Sequence, residues 1–174
     1  MEDASAHWVF GYGSLIWNPG FEYMRAAPAT LNGYHRSLCV LSHKYRGTVE
    51  ANGLVFGLNA GGRCHGMAFN VSAKAWPETL AYLRAREQIT MVYMEKLLPV
   101  TIMETGLDVH AIAYVVDTRH PQYAGALNEA DTLRYIRQGH GEAGPCAEYV
   151  RNTAEHLREM GFSDPDLDRL LGRL

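Results

Sequence analysis

The apolar residues of this chain change rhythm once, and that change restricts the fold more than any single motif. Up to residue 116 they fall in short runs rich in β-branched and aromatic side chains; beyond about 128 they recur at helical spacing. Trp8-Val9-Phe10 opens the first regime as a strand, and SLCVL at 37–41 reads as another. Residues 54–58 and 64–71 flank NAGGR at 59–63, which predicts a β-hairpin with a five-residue loop. Residues 97–103 and 109–116 flank ETGLD at 104–108, a second hairpin. The run HAIAYVV ending at Val116 has little polar alternation, so that strand is expected to be buried on both faces.

Helix signals punctuate and then follow the strands. Pro77 can open a helix that runs to about Glu87. Asn128 is the expected N-cap of a helix over 129–138, with Gly139 at the position where a left-handed residue ends it. Pro145 starts a helix over 145–160 that stops at Gly161. Asp164-Pro165 starts a short last one, whose Leu167, Leu170, Leu171 and Leu174 read as core. Strands, one inserted helix, more strands and then helices predict the α+β class, with a mostly antiparallel sheet or barrel. With no repeat, low-complexity tract or linker in 174 residues, one domain over 1–174 is expected, helical from about 128.

Composition excludes several functions. A net charge of −3 without a basic block argues against nucleic-acid binding. The apolar runs fall far short of a membrane span. The start, MEDASAHW, lacks a basic segment followed by an apolar one, so no signal peptide is expected. Cys39, Cys64 and Cys146 are odd in number and show no metal spacing, and the eight histidines form no HExxH-like pair. A reduced, cytoplasmic protein without a bound metal is the simplest expectation.

Within the 77–87 helix, Leu80, Leu83 and Glu87 lie within roughly 40° of one another on the helix circumference. Arg84 and Arg86 are expected to point elsewhere. A carboxylate that ends an apolar stripe faces the negative end of the helix dipole and leaves water, and both effects raise its pKa. That is the direction needed by a group that accepts a proton near neutral pH and returns it. The alternative is that Glu87 reaches solvent at a fraying end or pairs with an arginine.

WVFGYGSLIW at 8–17 interrupts an apolar run with two glycines around a tyrosine. Glycine packs nothing and costs chain entropy in a strand, so close access to the backbone is the expected reason. The segment lacks the third glycine of a dinucleotide fingerprint, the GK[ST] of a P-loop and the second glycine of a nucleophile elbow. What is left is a strand ending in a turn whose successive N–H groups form a concavity for a carboxylate or oxyanion, or a plain structural turn.

Loop and carboxylate together resemble a known family. FGYGSLIW followed by NPGF is similar to the N-terminal signature of the ChaC-type γ-glutamylcyclotransferases, and YLRARE ending at Glu87 is similar to that family's YLxxRE segment. The resemblance continues through YRGT at 45–48, HPQYAG at 120–125 and Gly144-Pro145 with Glu148-Tyr149. It implies a mixed, mostly antiparallel β-barrel with surrounding helices, the γ-glutamylcyclotransferase-like fold. It implies a lyase that cleaves glutathione to 5-oxoproline and cysteinylglycine without a cofactor. Glu87 would be its general acid/base, and Tyr12, Gly13, Ser14 and Leu15 the loop that holds the γ-glutamyl group. Tyr93 and Tyr149 match pocket tyrosines, and Arg46 is a looser match for a substrate carboxylate. Without the match, the two tyrosines read as core aromatics and Arg46 as a surface charge.

The chain departs from the family pattern at Cys146, where relatives place an asparagine, and at QITMV over 88–92, where relatives carry glycines. The departures bear on the Cys-Gly end of the substrate and leave the carboxylate in place. Two alternatives follow: a cyclotransferase for other γ-glutamyl amines, and a non-catalytic ligand-binding regulator. The expected partner is a small-molecule substrate, with no nucleic acid and no membrane; the regulator alternative would add a protein that it controls, for instance a transporter.

Overall fold

Trp8, Val9 and Phe10 are almost wholly withdrawn from water in the computed structural model, which describes residues 7–174. They belong to β1 (His7–Gly11), which is followed by the single helical turn α1 (Ser14–Trp17) and two long strands, β2 (Arg25–Ser42) and β3 (Gly53–Val71). Helix α2 (Trp76–Glu87) precedes β4 (Tyr93–Ile102) and β5 (Asp108–Val116). The strands close into a barrel in the order β1-β3-β2-β4-β5. β1 is antiparallel to β3 and parallel to β5, while β2–β4 and β4–β5 are antiparallel. The barrel is therefore mixed and mostly antiparallel, as expected. The amino-terminal segment on which the signal-peptide reading falls lies partly outside the described residues.

The chain divides into two compact units. The first combines the described part of Met1–Arg36 with Leu58–Val116. Its core joins Val9, Leu15, Phe69, Val71, Leu83 and Tyr114, with Met67, Trp76, Tyr93 and Ile112 packed at the margin. Fully burying a side chain such as Leu83 stabilises by about 2 kcal/mol. The same cluster thus fixes α1 through Leu15, α2 through Leu83 and β5 through Tyr114.

The second unit comprises Ser37–Gly57 and Asp117–Leu174. Three helices build most of it: α3 (Glu129–Gln138), α4 (Cys146–Glu159) and α5 (Pro165–Leu171). Asn128 caps α3 by accepting a 2.8 Å bond from Asp131 N, and Asp164 caps α5 by accepting from Leu167 N at 3.0 Å. Gly161, at φ +84°, ends α4 in the left-handed region. Among the described residues no helix is long and apolar enough to cross a membrane.

Several expectations change. The hairpin over 54–71 is absent: β3 runs through it as one strand, with Gly61 and Gly62 at φ +97° and +71°. Two left-handed glycines supply a bulge as readily as a turn, and here they bend an antiparallel strand without reversing it. The strand at 37–41 is the far end of β2. Gly139 caps α3 in an extended conformation, φ −69° and ψ 123°, so it is not left-handed. Its lack of a side chain is needed for closeness, because a Cβ there would sit 2.5 Å from Arg46 O. In α5 only Leu167 is fully buried; the other leucines are half-covered. The hairpin of β4 and β5 and the buried β5 hold as read.

Candidate active site

Tyr12, Gly13, Ser14 and Leu15 leave the end of β1 and enter α1. Here the expected open turn is a helical turn, closed by Ile16 N donating to Gly13 O at 3.0 Å and Asn18 N to Ser14 O at 2.8 Å. Gly13 is its N-cap, and no side chain caps it. The first N–H groups of a helix have no acceptor within it, so those of Ser14 and Leu15 form a donor pair. Gly11 answers to packing: a Cβ would lie 2.9 Å from the Leu15 Cβ. β3 comes as close from the other side, where a Cβ on Gly66 would meet Gly11 O at 2.3 Å.

Tyr12 is fixed at both ends. Its hydroxyl donates to Tyr114 O at 2.7 Å, and its carbonyl accepts from Arg36 Nε at 2.6 Å. Arg36 also donates to His65 O, so one guanidinium spans the loop and β3.

Glu87 is the last residue of α2, on the stripe of buried Leu83, with a side chain only 16% exposed. Burial pushes its carboxyl above the ordinary range, and the charge of Arg86 opposes this. Both readings of Glu87 are thus partly realised, since it is withdrawn from water and paired with an arginine. Arg86 does not point elsewhere. Its Nε lies 3.5 Å from Glu87 Oε1, its Nη2 donates to Ser14 Oγ at 2.8 Å, and its Nη1 donates to Asn18 O, Pro19 O and the Tyr82 hydroxyl. One side chain therefore touches both the carboxylate and the loop. The sequence carries no signal for this, because the loop partners are 67 to 72 positions away.

Burial is the main cause that raises the Tyr114 phenol, and its bond to Glu95 and the charges of Glu95 and Glu87 add to it. Its hydroxyl donates to Glu95 Oε2 at 3.0 Å, and Arg84 grips Glu95 through two bonds of 3.0 and 2.9 Å. Those bonds hold the Glu95 carboxyl below its ordinary range. The carboxyls of Glu87 and Glu95 are thus driven in opposite directions. Tyr93, at the start of β4, packs on the shared core, so Tyr12, Gly13, Ser14, Leu15, Glu87 and Tyr93 converge within the first unit.

Arg46 and Tyr149 meet in the second unit. Arg46 is 6% exposed and is not a surface charge; its guanidinium lies 5.6 Å from the Tyr149 ring centroid and donates to Pro145 O at 3.0 Å. The Tyr149 hydroxyl accepts from Phe56 N at 3.0 Å. The Cys146 thiol is buried, accepts from Leu54 N and donates to Leu54 O, and its pKa is raised by burial. It is a structural thiol.

Comparison with known proteins shows the family. Residues 7–174 match the model of the ChaC-like protein family. The chain is 32% identical to the glutathione-specific gamma-glutamylcyclotransferase of Escherichia coli, over 97% of this chain and 73% of that one. It is also 32% identical to glutathione-specific gamma-glutamylcyclotransferase 1 of Danio rerio, over 94% and 84%. A crystal structure of a yeast γ-glutamyl cyclotransferase specific to glutathione superposes with a TM-score of 0.88 at 21% identity, covering 96% of this chain and 94% of that chain, and so shares the fold. The chain belongs to the ChaC-like protein family.

Proposed function

We propose that this protein is a glutathione-specific γ-glutamylcyclotransferase, a lyase that releases 5-oxoproline and cysteinylglycine, with Glu87 as its general acid/base. The observation that carries the reading is the join of a mostly buried carboxylate to the 12–15 turn through Arg86. Binding alone has no use for a carboxylate kept from water, whereas proton transfer near neutral pH does. The activity printed in the names of the curated relatives supports the same chemistry.

The nucleophile is the substrate's own α-amine. Glu87 takes a proton from the α-ammonium, the freed nitrogen closes a five-membered ring on the γ-carbonyl carbon, and the carbonyl oxygen becomes an oxyanion. Collapse breaks the bond to the cysteinyl nitrogen, which receives the proton from Glu87; the ring nitrogen gives up its second proton as the lactam forms, and the released amine takes up one in its place to leave as an ammonium. No water is consumed. Intramolecular attack of this kind reaches effective molarities on the order of 10⁵ M, so most of the task is positioning. The N–H pair of Ser14 and Leu15 suits a developing oxyanion or a polar end of the γ-glutamyl group. Tyr12, Gly13 and Tyr93 would shape the cradle. No step in this chemistry calls on a metal or cofactor.

The reaction is assigned to the cytoplasm within this proposal, supported by three buried thiols. Incubation with glutathione and, separately, with γ-glutamyl amino acids, followed by mass spectrometry of 5-oxoproline, tests it. Release from glutathione alone is expected. Release from γ-glutamyl amines instead would transfer the reaction to that substrate class, and ligand binding without any 5-oxoproline would indicate a regulator.

A further inference from the structure

We propose that Arg86 is the positioning residue of this site, holding the Glu87 carboxylate in register with the Ser14 hydroxyl and supplying the positive charge against which that carboxylate ionises. As a statement about catalysis this rests on the cyclotransferase reading; as a statement about coupled charges it stands on the geometry alone. The guanidinium is planar and its five N–H donors are fixed in a fork, so where it is anchored decides what it can face. Two backbone carbonyls, Asn18 O at 2.6 Å and Pro19 O at 3.1 Å, and the Tyr82 hydroxyl anchor Nη1. That leaves Nη2 on Ser14 Oγ at 2.8 Å and Nε at ion-pair distance, 3.5 Å, from Glu87 Oε1. The side chain is only 16% exposed, as is its partner, so solvent screens the pair far less than a surface pair.

The other charged and titratable groups around Glu87 do not replace it. Tyr114 on β5 is a neutral phenol at physiological pH. Glu95 on β4 is a like charge already matched by Arg84, which sits on α2 and faces that residue. Arg86 is therefore the cation that opposes desolvation of the Glu87 carboxylate. Without it the base would spend more of its time protonated at neutral pH and could not receive the substrate's proton. A lysine keeps the charge but is a single point on a flexible stem. It cannot anchor on the 18–19 carbonyls while reaching Ser14 and Glu87 together.

The test is direct titration of the Glu87 side-chain carboxyl carbon by ¹³C NMR in wild type, Arg86→Gln and Arg86→Lys, alongside kcat/KM for 5-oxoproline release across pH 5 to 9. The Glu87 midpoint is expected to move upward in Arg86→Gln, with the acidic limb of kcat/KM moving in step. In Arg86→Lys most of the midpoint should return, while kcat stays lower by about 10²-fold, the cost of a small misplacement. A purely structural arginine would lower Tm and leave the midpoint where it was, and a folded Arg86→Gln protein with the wild-type midpoint overturns the proposal. Should Arg86→Gln not fold, the Arg86 Nε resonance of the wild-type protein decides. It must shift with the Glu87 midpoint, and a resonance indifferent to Glu87 protonation overturns the proposal too. Both NMR readings are independent of turnover, so failure of the cyclotransferase reading would appear separately, as wild-type protein that forms no 5-oxoproline.

Discussion

The hydroxyl of Tyr12 donates a 2.7 Å hydrogen bond to the main-chain carbonyl of Tyr114. This bond spans 102 positions of sequence and ties the turn after β1 to β5. The hydroxyl is committed to the protein, so its main work is to hold the loop. Tyr12→Phe keeps the ring and removes a buried donor. We expect a loss of about 1–2 kcal/mol in stability, read as a lower urea midpoint with an unchanged m-value. An unaltered midpoint would show that the bond contributes nothing.

Glu87→Gln preserves shape and removes proton transfer. Removing a positioned acid/base costs about 10²–10⁴-fold in rate, and the loss should fall on kcat, with glutathione still binding in calorimetry because the 12–15 turn is intact. Turnover at the wild-type rate would remove Glu87 from the mechanism. A loss of binding with kcat preserved would make it a substrate contact instead.

The same substitution has an opposite effect on stability. Burial raises the Glu87 carboxyl above its ordinary value of 4.5, so between those two values the folded chain holds more protons than the unfolded one. Stability from this group is full below the ordinary value and is lost as pH rises through the raised one. Glu87→Gln should therefore melt at a higher temperature than wild type at pH 8, and the gap should close toward pH 4. Melting curves at the two pH values check both halves. A variant less stable than wild type at pH 8 would mean that the Arg86 pair outweighs desolvation.

Which parts of this were legible in the sequence follows from the range over which each is determined. The caps at Asn128 and Asp164 act over three residues, and so α3 and α5 could be read locally. The stripe of Leu83 and Glu87 is set by helical pitch, and the carboxylate lies one turn beyond buried Leu83 and is itself largely withdrawn from water. NAGGR carries the chemistry of a turn, but Gly61 and Gly62 use their left-handed conformations to bend β3, a choice made by its pairing in the barrel. Arg86 was beyond reach for the same reason: a guanidinium's direction is set by distant acceptors, here the carbonyls of Asn18 and Pro19. Arg46 misled in the opposite sense, since a polar side chain in a loop is usually solvated and this one is covered by its own unit.

Glu95 provides the opposite case to Glu87. Its bonds from Arg84, then from Tyr114, hold its carboxyl below the ordinary value of 4.5. Here the folded chain binds fewer protons than the unfolded one, so its contribution is present above the ordinary value and lost as pH falls through the lowered one. Glu95→Gln leaves the Tyr114 hydroxyl with a weaker acceptor and Arg84 without its charge partner. The pair's arginine is 53% exposed, which places the expected cost at pH 7 near the low end for charged hydrogen bonds, about 1–2 kcal/mol. Chemical unfolding of wild type and variant at pH 7 and pH 3 measures it, and the difference should shrink in acid. The two carboxylate variants thus move stability in opposite directions at neutral pH and converge on wild type as the carboxyls protonate. A parallel response in both would mean that burial of Glu87 and the pairing of Glu95 do not set the two carboxyls apart.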